Sequence, residues 1–278
     1  MDIVLDLFDE YLLDAAWARI VPLDAFGGVP ALSKAAANAS SFVPYVAPSS
    51  TWNQFVSYLP HPPLPHLNAT VPAAHAISAW PRDYIPRQLL SLSAITLAGI
   101  YVLYFSFAWL SYTFIFNHEM MKHPRFLKNQ VKLEIQSSLR AFPGITLLTL
   151  PWFEAEVRGH SKLYSDVSEY GIAYLIFSVP FFLLFTDYAI YWVHRLLHHP
   201  LVYKHIHKPH HKWLVPTPFA SHAFHFVDGY LQSVPYHLFI FLFPLQRWLY
   251  LGLFVFVNCW SILVRPPLSL LPYFGCDT

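Results

Sequence analysis

The chain has 278 residues, of which 55% are hydrophobic, 18% aromatic and only 12% charged. Average soluble chains carry about 25% charged residues, so this composition excludes a disordered protein and argues against an ordinary soluble enzyme. A net charge of +1 offers no basic field for nucleic acid, and two cysteines, Cys259 and Cys276, exclude a disulfide scaffold and a cysteine-rich metal site. Sixteen histidines are the anomaly.

Asp2 to Arg19 places Val4, Leu5, Phe8, Leu12, Leu13 and Trp17 at helical spacing with acids between them. This predicts a short amphipathic helix suited to a membrane surface. The acidic start lacks the basic n-region of a signal peptide. Prolines recur from Pro22 to Pro86, which predicts irregular or extended structure. His61, His66 and His75 lie there without metal-ligand spacing and read as surface residues. Residues 1–88 thus form an amphipathic and irregular N-terminal region.

Leu89 to Phe116 carries no charge over 28 residues. That exceeds the roughly 20 residues needed to cross a bilayer core. Lys122, Arg125, Lys128, Lys132 and Arg140 follow, and the positive-inside rule assigns them to the cytosol. Ala141 to Phe153 is apolar but short, with Pro143 and Pro151 near its ends. Gly171 to Val193 is longer and holds one charge, Asp187, with Pro180 in the middle. Arg195, Lys204, Lys208 and Lys212 come next and also call for the cytosol. The two apolar segments are therefore expected to form a helical hairpin that enters and leaves from the cytosolic side, within a membrane region of residues 89–186.

Val234 to Val264 is a predominantly apolar run of 31 residues whose one charge is Arg247. A hairpin of two tilted or partial passes with Arg247 near the turn fits this length, and a single tilted helix is the alternative. This hairpin closes a histidine-bearing region of residues 187–264. Residues 265–278 change character: three prolines in eight residues cannot continue a helix. The expected fold is an all-α integral membrane protein, transmembrane helices with a cytosolic helical cap carrying the histidines. A β-barrel is excluded, because the apolar runs are continuous rather than alternating. Trp80, Tyr84, Trp152, Trp192, Trp213 and Trp248 lie near run ends, where interfacial anchoring and simple packing are both available to them.

Nine of the sixteen histidines fall between His194 and His225. His194 and His198 are four apart. His207, His210 and His211 offer separations of three and four, and His222 and His225 are three apart. On a helix, residues three or four apart share a face with Cβ atoms about 5–6 Å apart, so two imidazoles can close on one metal ion. Neutral imidazole suits iron, zinc, copper and nickel. His194 follows Tyr191-Trp192-Val193, which puts the first pair where a helix leaves the membrane. Pro209 marks the second group as the start of a helix rather than its interior. His199 and His205 fall off the pattern, and His118, His123, His160 and His237 are isolated.

A zinc peptidase would show His-Glu-x-x-His; no such motif exists here, and no acid lies between Asp187 and Asp228. Bis-histidine haem ligation needs two or four histidines, not seven. A dense all-histidine set better fits two metal ions, each held by three or more imidazoles. With iron, open positions could bind O2, and oxidation of a lipid C–H bond is the natural reaction.

His-x-x-x-His followed by His-x-x-His-His beside membrane spans resembles the fatty acid hydroxylase and sterol desaturase superfamily. The stretches Asp187 to Lys204 and His207 to His225 resemble the fungal sterol C5-desaturases more closely, with similarity from about Trp80 to Val264. The resemblance implies an endoplasmic reticulum enzyme with a non-haem di-iron centre and cytosolic histidine boxes. It implies O2, and electrons from NAD(P)H through cytochrome b5 and its reductase. By position, His194 and His198 match the first box, and His207, His210 and His211 the second. His222 and His225 match a further pair. The implied reaction removes two hydrogens across C5–C6 of a Δ7-sterol to give the 5,7-diene.

This sequence departs from the pattern in two places. Phe226 stands where the family usually has proline. The family also continues, after its last membrane segment, to a third box, His-x-x-His-His, whereas no histidine follows His237 here and the proline-rich tail resembles intron read-through or a frameshift. Three functions therefore stay open. The first is sterol C5-desaturation. The second is another oxidation on the same scaffold, such as C-4 methyl oxidation or hydroxylation of a sterol or triterpenoid. The third is a catalytically dead truncated paralogue or gene model.

Overall fold

A computed structural model describes residues 1–26, 51–63 and 78–263. His66, His75 and the proline-rich tail lie outside these. The described residues are mostly helical, and the chain divides into two units, residues 1–92 and 93–278.

The first unit begins with helix α1 (Asp2–Phe8), a π-helical turn (Asp9–Leu13) and helix α2 (Asp14–Ile20), followed by a short helix α3 (Thr51–Val56). The amphipathic helix expected over Asp2 to Arg19 is present, with one widened turn. That turn has a reason. Asp9 and Asp14 are five residues apart, about 140° around an α-helix, but they bracket a single i→i+5 turn of a π-helix. Both carboxylates therefore reach the same guanidinium: Arg87 donates to Asp9 at 2.7 Å and to Asp14, and also to the Trp80 carbonyl at 2.9 Å. Arg87 and Asp9 are buried. Trp17, Val21, Leu23, Val56 and Trp80 form the apolar core beside them. Trp80 is thus a core residue rather than an interfacial anchor.

Helix α4 (Ile85–Phe114) runs 30 residues, and helix α6 (Gly171–Leu197) runs 27. Among the described residues these two are long and apolar enough to cross a membrane. At 1.5 Å per residue each is about 40 Å or more. Their exposed side chains include Val102, Trp109 and Phe114 on α4, and Ile172, Leu184 and Tyr188 on α6. Apolar surface of this extent needs a non-aqueous partner.

Helix α5 (Gln130–Val157) joins two stretches that read as separate in the sequence. Pro143 and Pro151 lie inside it rather than at its ends. Each proline leaves one carbonyl, of Leu139 and Leu147, without its usual donor. The helix persists because its apolar face is buried on both sides of each break, through Ala141, Phe142, Leu150 and Phe153.

A parallel two-residue pair, β1 (Leu163–Tyr164) and β2 (Leu245–Gln246), follows in register Leu163 to Leu245. Beyond α6 come a single turn α7 (Pro200–Val202), helix α8 (Phe226–Leu242) and helix α9 (Arg247–Leu263). The 31-residue apolar run is thus a helical hairpin, broken at residues 243–246, with Arg247 opening its second arm. Lys162 secures the break. Its backbone N–H donates to the Ile240 carbonyl at 2.7 Å, and its ammonium to that of Leu242 at 2.9 Å, satisfying acceptors at the end of α8. Phe182 on α6 packs edge-on against Phe239 on α8, at the centre of an apolar cluster with Ile240, Leu245, Tyr250 and Leu253.

Candidate metal centre

The last turn of α6 delivers the first pair of histidines. His194 lies in that turn and His198 caps it, four residues on, with their Nε2 atoms 3.2 Å apart. The chain then reverses. His199 Nδ1 accepts from the Leu201 N–H, Pro200 starts α7, and a π-helical turn (Tyr203–His207) closes through Lys208 N–H to the Tyr203 carbonyl at 2.8 Å. This wide turn brings His207 back against the end of α6, its ring centroid 4.6 Å from that of His194 and 4.7 Å from that of His198. A 3-10 turn (His210–Lys212) begins directly after Pro209. His211, four residues beyond His207, places its Nε2 3.0 Å from His207 Nε2.

His194, His198, His207 and His211 therefore offer four nitrogens that lie within 4.8 Å of one another. The donor chemistry fits a metal ion. Imidazole nitrogens bind at about 2.0–2.1 Å, so two ligands on one ion lie about 3.0 Å apart at a right angle and about 3.4 Å apart at a tetrahedral angle. The two Nε2 separations, 3.2 and 3.0 Å, match this range. His207 is fully buried, His194 half-buried, and His198 and His211 are exposed, so the group has one closed wall and one open side. Partial desolvation of its ring, and next the nearby His207, hold the His198 imidazole below its usual pKa range, which favours the neutral, ligating form.

The other three predicted residues lie outside this group of four. The His210 ring is 5.7 Å from His207 and 5.9 Å from Phe224. His222 packs among Tyr104, Phe142 and Phe224, and its Nδ1 lies 3.0 Å from the Ser221 hydroxyl. His225 caps α8, its Nδ1 accepting from the Val227 N–H at 3.3 Å, and its ring lies tilted against Phe226 with centroids 4.5 Å apart. The Phe226 side chain occupies the space at Gly144, where a Cβ would sit 2.5 Å from the ring.

The segment between His211 and His222 is fixed from α5 and α4. Glu134 is fully buried and accepts from Gln130 Nε2 at 2.7 Å, from the Thr217 N–H at 3.3 Å and from the Thr217 hydroxyl. Gln130 also donates to the Val215 carbonyl at 2.8 Å, and Tyr104 donates to the Phe219 carbonyl at 2.8 Å. Trp213 is buried, its indole N–H on the Ala223 carbonyl at 3.0 Å, so it braces this segment rather than a membrane interface.

Three neighbours of the histidines follow no spacing rule in the sequence. Tyr203 stacks on His198 at 5.4 Å. Asp228 lies 2.8 Å from His207 Nδ1, and Gln232 donates to the other Asp228 oxygen at 2.6 Å. The one available signal was Asp228 itself, the first acid after a 40-residue stretch without any.

The fatty acid hydroxylase family model matches residues 179–266, which include all seven predicted histidines. The chain is 47% identical over 273 residues to a Δ7-sterol 5(6)-desaturase of Leptosphaeria maculans, covering 95% of this chain and 74% of that protein. It is 46% identical over 269 residues to a Δ7-sterol 5(6)-desaturase of Aspergillus fumigatus, covering 95% and 74%. It is 54% identical over 190 residues to the lathosterol oxidase of Homo sapiens, covering 68% and 64%. No solved structure matches the chain. With helices able to cross a membrane, a convergent histidine group inside the matched region and this identity along nearly its whole length, the chain belongs to the membrane-bound Δ7-sterol 5(6)-desaturase family.

Proposed function

We propose that this protein introduces the C5–C6 double bond of a Δ7-sterol in ergosterol-type sterol synthesis. The observation that carries the reading is the group of four histidines within a chain 47% identical over 95% of its length to a Δ7-sterol 5(6)-desaturase. Two hydrogens leave C5 and C6 of the sterol, NAD(P)H supplies two further electrons, and O2 becomes two waters.

His194, His198, His207 and His211 would hold one iron. His210, His222 and His225 are the candidates for a second. When bound, iron would supply the O2 activation that removal of hydrogen from a C–H bond requires. The chain's own residues hold the imidazoles: α6 and the π-helical turn set the two pairs against each other, Tyr203 backs the His198 ring, and the Glu134 network anchors the segment leading to His222. The exposed side of His198 and His211 is the open face of the site.

The location we propose is the endoplasmic reticulum membrane, with the histidines cytosolic and electrons delivered by cytochrome b5 and its reductase. Arg195, Lys204, Lys208 and Lys212, all exposed around the histidines, support the cytosolic side.

The test is conversion of a Δ7-sterol by membranes containing the chain, with NAD(P)H and air. The conjugated 5,7-diene is read by its ultraviolet absorption and by mass. Diene formation that is lost on His207→Ala is expected. An iron-loaded chain that leaves the sterol unchanged, or yields a hydroxylated or C-4-oxidised product, would overturn the reading.

A further inference from the structure

The mutual fit of His207, Asp228 and Gln232 goes beyond the ligands themselves. His207 and Asp228 are both fully buried, and they come from different elements, the π-helical turn and the first turn of α8. His207 has two ring nitrogens with distinct surroundings. Nε2 faces the histidine group, 3.0 Å from His211 Nε2, while Nδ1 faces Asp228 Oδ2 at 2.8 Å. A carboxylate can only accept, so Nδ1 must carry the hydrogen. That leaves the Nε2 lone pair directed into the group.

Asp228 is held in turn. Gln232, one turn further along α8, donates to Oδ1 at 2.6 Å. Asp228 also lies in the first turn of α8, where the positive end of the helix dipole favours an anion. No acid occurs from Tyr188 to Val227, so Asp228 is the first carboxylate after the stretch that bears nine of the histidines.

We infer that Asp228, supported by Gln232, is the positioning residue of the centre: it sets the tautomer and ring orientation of His207 and thereby its strength as a metal ligand. This rests on the reading of His207 as a ligand, but not on which substrate is oxidised. Carboxylates that hold a ligating histidine by its second nitrogen typically contribute 10- to 100-fold to metal affinity.

The test is anaerobic titration of the metal-depleted full chain, in detergent, with iron(II) alone. Wild type is compared with Asp228→Ala, Asp228→Asn, Gln232→Ala, His207→Ala and the double variant Asp228→Ala/His207→Ala. Thermal unfolding of each metal-free form is measured beside it. Asp228→Ala should weaken iron(II) binding about 10- to 100-fold. Asp228→Asn keeps the shape and one acceptor without the charge, so it should fall between. Gln232→Ala should cost less than Asp228→Ala. In the His207→Ala background, removing Asp228 should change affinity no further, because its whole effect passes through that imidazole. A general structural role would instead lower the unfolding temperature and add to the His207→Ala loss.

If Asp228→Ala and Asp228→Asn bind iron(II) within about twofold of wild type, or if the double variant shows additive losses, the inference is overturned. If wild type itself takes up no iron(II), it is the reading of His207 as a ligand that fails.

Discussion

Gly229 is the position where a single methyl group has the most readily worked consequence. It is buried in the first turn of α8, and a Cβ there would lie 2.1 Å from Phe224 Cε2, 2.8 Å from Cζ and 2.9 Å from Cδ2. Carbon atoms pack best at about 3.5–4.0 Å, so Gly229→Ala requires the ring to withdraw by about 1.4 Å or more. The ring is not free to do so without disturbance, because its centroid lies 5.9 Å from His210 and 5.8 Å from His222. Overpacking of this kind costs about 1–3 kcal/mol, whereas alanine in place of glycine inside a helix contributes about 0.5–1 kcal/mol of stability. The clash outweighs the helix contribution, and a net destabilisation of about 0–2.5 kcal/mol is expected. Removing the ring reverses the sign: in a Phe224→Ala background, Gly229→Ala should stabilise by the helix contribution alone, about 0.5–1 kcal/mol. Denaturant unfolding of the four detergent-solubilised proteins of this cycle measures both steps. Stabilisation by Gly229→Ala in the wild-type background would refute the reasoning, because it would mean that no ring occupies that space.

Other consequences follow from the buried polar networks. Arg87→Ala leaves the Asp9 carboxylate buried without its cation, and breaking one partner of a buried pair costs about 3–5 kcal/mol; the measurement is limited proteolysis, which should cut within residues 1–60 far faster than in wild type. The same cluster gives a pH dependence. Burial alone would raise the Asp14 carboxyl, but hydrogen bonds from Arg82 and Arg87 outweigh it and hold the group below the usual carboxylate range. Its stabilising contribution is therefore complete above about pH 4 and fades as the pH falls further, which acid titration of the proteolysis rate in wild type and Asp14→Asn should register as a difference. Glu134→Ala removes the acceptor shared by Gln130 and Thr217. Each buried donor left unmade costs about 1–3 kcal/mol, so unfolding should shift by at least about 3 kcal/mol, and a loss under 1 kcal/mol would show that Thr217 is not anchored this way.

Much of this molecule is legible in its sequence. The charge-free run from Leu89, the amphipathic spacing from Asp2 to Arg19 and the four-residue interval between His194 and His198 all express backbone periodicity, which neighbouring residues determine between themselves. The break near Arg247 was equally readable, because 31 apolar residues are too long for one straight crossing and too short for two full ones. The helical prolines of α5 were not legible. A proline's local preference marks an end, and only burial of Phe142, Leu150 and Phe153 on both sides of the breaks outweighs it.

The centre divides along the same line. Spacing alone supplied three histidine groups, His194/His198, His207/His210/His211 and His222/His225, and the kind of metal they suit, because residues three or four apart in a helical turn meet wherever that turn is placed. It could not say that His207 and His211 close on His194 and His198 while His210 turns toward Phe224, since that depends on a π-helical turn whose width appears only in the folded chain. Nor could it join His207 to Asp228 across 21 residues, or assign Trp80 and Trp213 to cores rather than to an interface. Those outcomes are decided by which surfaces tertiary packing removes from solvent. A residue's chemistry is written in the sequence, but its partners are selected only when distant elements are buried against one another.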